Sequence, residues 1–289
     1  MKYENRIVVF IDILGFRSLL SETMDSKNND NEEAINNLIS AYSSIIDIWN
    51  LSKKQEILDT KALSSKKVSI FSDCLVISFE VNKPSAVFST LLEIKWLIMR
   101  LISRKILCRG AISIGKMIHT DNYLFGPALV EAYTLESKAA VYPRIILDNT
   151  VIEAGAIFRL DHHSYSQEYE YLESLLEQDS DGMYYVDYFT KAQTELDDPY
   201  YDFPIYIENL AKIIRKGLED SNQHSKADLR VKYSWMREKF NLMVDNVSNK
   251  KEIEELKKSG EIELAEFYNQ LKKISPQKYN NPFVRSRKG

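Results

Sequence analysis

The sequence predicts an α+β fold for about the first half of the chain and a mainly helical C-terminal part. Two patterns lead to this prediction. Short apolar runs alternate with stretches of helical periodicity up to residue 150, and helical periodicity dominates from residue 205 onward. The 289 residues are 44% hydrophobic and 28% charged, which is typical of a globular chain that buries a core.

The first elements follow from their apolar patterns. Residues 6–12 form a continuously apolar run, which is typical of a central strand buried on both faces. A short helix is expected after Gly15. Apolar residues at steps of three and four then predict a helix over 35–49. Two β-rich runs, 68–71 and 74–79, flank Ser72-Asp73 and predict a tight hairpin.

The later elements are read in the same way. Pro84 predicts the start of a helix to residue 105, because proline is tolerated in a first helical turn. The further predicted elements are strands at 106–115, 117–124, 143–147 and 183–189, and helices at 126–140, 205–220, 226–247 and 250–273. We therefore expect a domain at 1–155, an extension at 156–289 with one strand and three helices, and a loose tail from 275.

Composition and missing motifs exclude several classes of protein. The 38 basic and 42 acidic residues do not give the overall basic character of a dedicated nucleic-acid binder. Two cysteines are too few for a disulfide scaffold or a Cys-rich zinc site. The apolar stretch 86–102 contains three charged residues and therefore predicts a core helix, not a membrane span. We expect a soluble cytoplasmic protein without a nucleic-acid or membrane partner.

Two aspartates are the first candidate functional residues. Asp12 ends the first strand and is followed by Gly15, and a carboxylate at the end of a buried strand is costly unless a cation or a hydrogen bond stabilises it. Asp73 lies at the hairpin tip. Together they could bind Mg²⁺ or Mn²⁺. Each has an ordinary alternative: Asp12 as a helix N-cap, and Asp73 as a turn residue.

Arg109 is the third candidate. It lies within an apolar strand, where a guanidinium needs a phosphate or a carboxylate as partner. An ordinary salt bridge explains such an arginine as well as a substrate does. A glycine ahead of a helix at Gly126 also suits a phosphate, although this signal is common. Neither a P-loop nor a Rossmann motif occurs.

These segments, in order, resemble the class III nucleotide cyclases over residues 5–150. The first family motif is an aromatic residue, any residue, Asp, Ile, any residue, Gly and Phe, which Phe10 to Phe16 matches throughout. The hairpin keeps Asp73 but has Ser72 where the family has Gly. The third and fourth motifs are matched by Arg109, Ile112, Gly115, Gly126, Ala132, Leu135, Glu136 and Ser137. The resemblance implies a ferredoxin-like βαββαβ catalytic domain.

Departures from the family motifs argue against a purine cyclase. The Asn and Arg that stabilise the transition state in adenylyl and guanylyl cyclases fall on Val130 and Thr134. The purine-selecting Lys falls on Ser69, and the second base-reading residue falls on Tyr123. The sequence instead resembles the bacterial pyrimidine cyclases of the Pycsar anti-phage system, which share the stretch Gly-x-Ala-Leu-Val-x-Ala-Tyr found here from Gly126.

This resemblance implies roles for specific residues. Asp12, Asp73 and the carbonyl of Ile13 would bind two Mn²⁺ or Mg²⁺ ions per site. Arg109 would neutralise developing charge. The residues implied to bind substrate are Leu14, Gly15 and Phe16 through backbone N–H groups, Ser69 and Tyr123 at the base, and Lys116 and Lys138 as substitutes for the absent Arg.

The implied activity is conversion of UTP to cyclic UMP by a homodimer with composite sites, in an anti-phage system with a cyclic-nucleotide-sensing effector. The preference for UTP rests on the hydroxyls of Ser69 and Tyr123, which can donate to the two carbonyls of uracil. CTP is the alternative substrate. Two other functions stay open: a degenerate cyclase that binds nucleotide without turnover, and a helical interaction protein that acts through residues 150–289.

Overall fold

The computed structural model describes residues 1–55 and 65–278. The strands are β1 (Glu4–Leu14), β2 (Lys67–Phe71), β3 (Cys74–Glu80), β4 (Leu107–His119), β5 (Leu124–Phe125), β6 (Ile145–Leu147), β7 (Leu176–Gln178) and β8 (Tyr184–Val186). The helices are α1 (Phe16–Glu22), α2 (Glu32–Gln55), α3 (Ala86–Ser103), α4 (Pro127–Lys138), α5 (Asn149–Ile157), α6 (Tyr165–Ser174), α7 (Pro199–Asp220), α8 (Ala227–Val247), α9 (Lys250–Ser259) and α10 (Ile262–Gln270).

The strands form one mixed sheet. Its order is β2-β3-β1-β4-β6-β8-β7, and the short β5 pairs with β4. β1 lies at the centre and is antiparallel to both β3 and β4. The chain order β1, α2, β2, β3, α3, β4 with the spatial order β2-β3-β1-β4 is the ferredoxin-like βαββαβ arrangement. The predicted α+β class and this arrangement are therefore confirmed.

The two faces of the central sheet are covered by different helices. Val8 and Phe10 of β1 pack on Ala128 and Ala132 of α4. On the opposite face, Ile11 and Ile13 lie around a small internal cavity with apolar residues of α2 and α3. This double coverage explains the continuously apolar sequence of β1, because a strand buried on both faces has no alternation.

The strand ladder determines which side chains share a face. Asp12 is paired with Cys74 of β3 and with Arg109 of β4. Since residues alternate between faces along a strand, Asp12 lies on the same face as Phe10 and Val8. The α4 face of the sheet therefore carries the first candidate residues at one end of β1.

The region after β6 differs from the sequence prediction. Residues 149–157 and 165–174 form helices α5 and α6, which the sequence analysis did not predict. The extension contributes two strands instead of one, because β7 pairs with β8 and β8 with β6. The helix predicted over 250–273 is two helices, since Gly260 has a φ of 91°, which ends α9.

The chain divides into two compact units, Met1–Tyr188 and Phe189–Gly289. The division lies later than the boundary predicted after residue 155, because α5, α6, β7 and β8 pack with the sheet unit. In the second unit, Phe203 and Phe240 are fully buried among helices α7 to α10. Within the described residues, no helix is long and apolar enough to cross a membrane. Most of the predicted tail, 279–289, lies outside the described residues.

Candidate active site

The two candidate aspartates come together where β1 ends beside the β2–β3 hairpin. The N–H of Ile13 donates to the carbonyl of Asp73 at 2.9 Å, which extends the β1–β3 ladder to the hairpin tip. One carboxylate oxygen of Asp12, one of Asp73 and the thiol sulfur of Cys74 all lie within 4.8 Å of one another. All three residues are half-buried. The sequence motifs that predicted the pair of aspartates are therefore adjacent in space.

The hairpin tip is held in an uncommon conformation. Ser72 has a φ of 53°, a left-handed conformation that favours glycine. The hydroxyl of Tyr42 on α2 donates a hydrogen bond to the Ser72 carbonyl. Burial, and the negative charge of Asp73 second, raise the pKa of Tyr42, so this hydroxyl remains a donor. Ser72 thus takes the family's glycine position at some cost in strain, and Tyr42 stabilises the turn that presents Asp73.

The donor set fits a divalent cation. Carboxylate oxygens are the ligands that Mg²⁺ and Mn²⁺ prefer, and two aspartates can share two ions. Burial first, and then the negative charges of Asp73 and Asp12, raise the pKa of the Cys74 thiol to about 12. The thiol is therefore neutral at neutral pH and leaves the two carboxylates as the anionic donors.

Arg109 lies between two acids. Its Nε is 3.5 Å from Asp12 Oδ2 and 2.5 Å from Glu136 Oε1. The salt bridge that the sequence left open as an alternative is therefore present. Burial raises the pKa of Glu136, and Arg109 opposes this shift. Arg109 thus links the aspartate pair to α4.

Glu136 is a site residue whose role the sequence reasoning missed. It matches the fourth family motif, but a position on a helix does not reveal that the side chain reaches the sheet. It is almost fully buried at 2% exposure, and the face of α4 that carries it also carries the buried Ala128 and Ala132. The available signal was the spacing of four between Ala128, Ala132 and Glu136, which places a carboxylate on the buried face of α4.

Ser69, predicted to contact the base, lies on the same face of the sheet. It is paired with Val76, which is paired with Phe10, so the three residues form one row beside the row of Asp12. Ser69 Oγ lies 2.9 Å from His119 Nε2 at the end of β4. His119 thus links β2 to the turn that carries Tyr123.

Tyr123 follows His119 in a tight turn and is 54% exposed. Its N–H donates to Thr120 Oγ1 at 3.0 Å, and its carbonyl accepts from the N–H of Thr120 at 2.8 Å. Lys67 of β2 forms an ion pair at 3.1 Å with Asp121 of the same turn. Side-chain contacts therefore connect β2, which carries Ser69, to the turn after β4, which carries Tyr123.

The backbone after Asp12 turns sharply at Gly15, which has a φ of 74° and serves as the N-cap of α1. Asp12 is therefore not the N-cap, and that alternative is wrong. Gly15 is exposed and Phe16 is buried. The backbone N–H groups of Leu14, Gly15 and Phe16 remain predicted phosphate ligands.

The two lysines that were predicted to substitute for the missing arginine lie at exposed positions. Lys116 is exposed and pairs with Asn5 on β1. Its odd spacing from Arg109 along β4 places it on the opposite face of the sheet. Lys138 is exposed in the last turn of α4. Their contact with substrate remains a prediction.

An open groove runs along the outer side of α4. It has a volume of about 590 Å³ and is lined mainly by Tyr3, Gly126, Pro127, Val130 and Thr134. Val130 is 64% exposed. The Thr134 hydroxyl donates to the Val130 carbonyl of its own helix at 2.7 Å. The positions that correspond to the family's Asn and Arg therefore lie beside an accessible, largely apolar groove.

Comparisons with known proteins gave structural matches only. No protein-family model matches the chain, and no curated protein does. The adenylyl cyclase CyaB from P. aeruginosa is 15% identical, with 64% of this chain and 95% of that chain covered and a TM-score of 0.42. A bacterial light-regulated adenylyl cyclase is 20% identical, with 54% and 81% covered and a TM-score of 0.38.

A third match is a class III adenylyl cyclase-like ATP-binding protein from Pseudomonas aeruginosa. It is 14% identical, with 60% of this chain and 44% of that chain covered and a TM-score of 0.35. At these TM-scores the likeness does not bear on function, which we infer from the residues of the site.

Proposed function

We propose that this chain is a metal-dependent pyrimidine nucleotide cyclase that converts UTP into 3′,5′-cyclic UMP and pyrophosphate. The observation that carries the proposal is the cluster at the end of β1. There Asp12 and Asp73 offer ligand oxygens within 4.8 Å, and Arg109 lies 3.5 Å from Asp12. A pair of carboxylates with an adjacent guanidinium is suited to hold cations against a triphosphate.

The reaction places a separate demand on each residue. The ribose 3′-oxygen attacks the α-phosphorus, its proton is lost to solvent, and the bond to the β-phosphate oxygen breaks to release pyrophosphate. Asp12, Asp73 and the carbonyl of Ile13 would hold the cations, which when bound lower the pKa of the attacking hydroxyl. Arg109 would exchange its contact with Glu136 for the phosphate charge that develops. Leu14, Gly15 and Phe16 would position the phosphates through backbone N–H groups.

The preference for a pyrimidine rests on what replaces the purine-reading residues. Ser69 is too short to replace a lysine across a pocket of purine size. Tyr123 is bulkier than the residue it replaces and should shrink the pocket toward a single ring. A hydroxyl also accepts, so CTP remains the alternative substrate until the direction of the Ser69 hydrogen bond is known.

The homodimer belongs to the same proposal. The groove beside α4 exposes Val130, and Phe125 and Tyr133 are 46% and 55% exposed nearby. Exposed apolar residues that adjoin one another are typical of an interaction surface. A second copy of the chain would cover this surface and could complete the site. The role in anti-phage defence and the cyclic-nucleotide-sensing effector rest on the motif resemblance alone.

The first prediction tests the aspartate pair. Asp12→Asn and Asp73→Asn should each lower product formation with Mn²⁺ by about 100-fold or more, since one lost ligand weakens both ions. Each ribonucleoside triphosphate is incubated with Mn²⁺ and the cyclic products are identified by mass. The exposed Asp30→Asn is the matched control. Full turnover by either site variant contradicts the assignment, and unchanged substrate with every nucleotide contradicts the enzyme.

A degenerate cyclase that binds nucleotide without turnover is the second candidate. Its support is that Val130 is apolar and that the Thr134 hydroxyl already bonds within α4, so neither supplies a transition-state donor. Calorimetric binding of UTP in the absence of any product favours this candidate. Product formation excludes it.

A further inference from the structure

Four polar side chains form a continuous hydrogen-bonded chain on the α4 face of the sheet. It begins at Arg6 of β1, whose Nε donates to Ser78 Oγ at 2.9 Å. Ser78 Oγ lies 2.8 Å from His119 Nδ1, and His119 Nε2 lies 2.9 Å from Ser69 Oγ. The first three residues are at most 5% exposed, whereas Ser69 is only half-buried.

Arg6, at the buried end of this series of hydrogen bonds, determines which atom donates in each of them. Arg6 is always protonated and can only donate, so Ser78 Oγ must accept from it. Within the described residues, the partners of Ser78 Oγ are Arg6 Nε and His119 Nδ1. If Nδ1 also donated to Ser78, the buried hydroxyl proton of Ser78 would have no acceptor, which is costly. The Ser78 hydroxyl therefore donates to Nδ1.

The protonation state of His119 determines the direction of its hydrogen bond with Ser69. Burial first, and then the positive charges of Arg6 and Lys67, lower the pKa of His119 to about 4, although the negative charge of Asp121 opposes them. The ring is therefore neutral at neutral pH and has one N–H. Since Nδ1 accepts from Ser78, the proton is on Nε2, which donates to Ser69 Oγ. The hydroxyl proton of Ser69 is then left to donate outward.

We infer that His119 is a positioning residue that makes Ser69 a hydrogen-bond donor and so selects a base with a carbonyl at that position. This rests on the proposed function, which places Ser69 against the base. In this proposal Ser69 faces C4 of the base, where uracil presents a carbonyl that accepts from the Ser69 hydroxyl. Cytosine presents an amino group, which faces a donor and leaves a polar group unpaired. The hydrogen bonds from Arg6 to Ser69 thus favour UTP over CTP, a preference that a freely rotating hydroxyl would not give.

The Asn and Gln variants of His119 separate this role from a structural one. In His119→Gln the side-chain amide can reach the position of Nε2 and donate to Ser69. In His119→Asn the amide reaches only the position of Nδ1 and contacts Ser78. Both variants remove the ring and keep a polar amide, so their packing defects are comparable.

The test measures initial rates with UTP and CTP at equal concentration for the full-length protein and both variants. We expect the UTP/CTP ratio to fall about tenfold in His119→Asn, as one unpaired polar group implies, and to stay within about threefold in His119→Gln. An unchanged ratio in His119→Asn, or equal loss in both variants, overturns the inference.

A second measurement does not depend on turnover. Nitrogen-15 NMR of the His119 ring distinguishes the two neutral tautomers, and we expect the proton on Nε2. A proton on Nδ1, or a doubly protonated ring at pH 7, overturns the inference whatever the substrate. Turnover of GTP, which also presents a carbonyl, contradicts the proposed pyrimidine cyclase while leaving the donor chain intact.

Discussion

The buried pair of Glu136 and Arg109 is the residue-scale feature that most constrains the site. Glu136 is 2% exposed and its Oε1 lies 2.5 Å from the guanidinium of Arg109. Burial raises the pKa of Glu136 despite this positive neighbour. Because the pKa is raised on folding, the folded state is more stable when Glu136 is protonated than when it is ionised. The pair therefore positions Arg109 at a cost in stability.

The pH dependence of stability follows from this shift. A carboxyl whose pKa is higher in the folded state favours folding below its unfolded pKa, and this contribution is lost as pH rises through the folded pKa. Glu136→Gln imitates the protonated form. Its melting temperature should therefore equal or exceed that of the wild type at pH 7. The difference should shrink as pH falls through the raised folded pKa and should be gone below 4.5, the ordinary pKa of Glu.

Thermal unfolding of both proteins at pH 7 and at pH 4 measures this difference, because the other carboxylates are common to both. A Gln variant that is less stable than the wild type at pH 7 would show that attraction to Arg109 outweighs the cost of burial. The same variant should lose turnover if Arg109 needs Glu136 to hold it beside Asp12.

The sequence predicted the identities of the central residues better than their partners. Asp12, Asp73 and Arg109 were found because each is a charged residue in an apolar strand or at its end, and the structure brings them together. Their catalytic roles remain predictions. Glu136 and His119 were missed as partners because a side-chain contact across elements depends on packing, which no local spacing records. The partners of His119 are serines on two other strands.

At the scale of elements, the close approach of β1 and β4 depends on one glycine. A Cβ at Gly110 would lie 2.4 Å from the backbone oxygen of Phe10. Neither backbone can withdraw without breaking the ladder that aligns Asp12 with Arg109. At Gly115 the nearest atom to an added Cβ is the side-chain Cβ of Ala128, at 3.3 Å. We therefore expect alanine to be tolerated at Gly115 but not at Gly110, although both lie on β4.

We predict that Gly110→Ala lowers the free energy of unfolding by about 3 kcal/mol or more, because a backbone clash in a core cannot relax. Gly115→Ala should change it by about 1 kcal/mol or less, since a small shift of Ala128 relieves the contact. Urea unfolding followed by circular dichroism gives both values. Equal midpoints for the two variants would show that β4 can move away from β1.

Two of the elements that were not predicted, α6 and β7, lack the apolar periodicity on which the sequence predictions rested. Most strands and helices up to β6 were predicted because their apolar periodicity is strong. The strand predicted over 117–124 is wrong, because β4 continues to His119 and β5 has only two residues. Helix α6 has a tyrosine-rich polar sequence, so periodicity failed there. Its start is nevertheless marked by a capping box in which Ser164 and Gln167 bond each other's backbone N–H groups. Strand β7 has three residues and exists only because β8 lies beside it, which no local pattern reveals.

At the scale of the whole molecule, the groove beside α4 predicts that the active species is a dimer. Val130 is 64% exposed and lies at the position where the motif of the class III cyclases, which the sequence resembles, has a catalytic Asn. A single chain leaves this groove open, with Thr134 bonded to its own helix. A second copy that covers the groove would supply the missing wall of the site and bury its apolar surface.

Val130→Arg should therefore convert the dimer to a monomer and lower turnover by about 100-fold or more, since a buried unpaired charge is incompatible with a packed interface. The position is 64% exposed in the single chain, so the fold itself should tolerate the change. Val141→Arg, at an apolar residue that is 46% exposed and lies outside the groove, is the matched control. Sedimentation velocity gives the oligomeric state, and cyclic product from UTP gives the activity. A wild-type monomer with full activity would place the complete site within one chain. A Val130→Arg dimer with full activity would show that the groove beside α4 is not the interface.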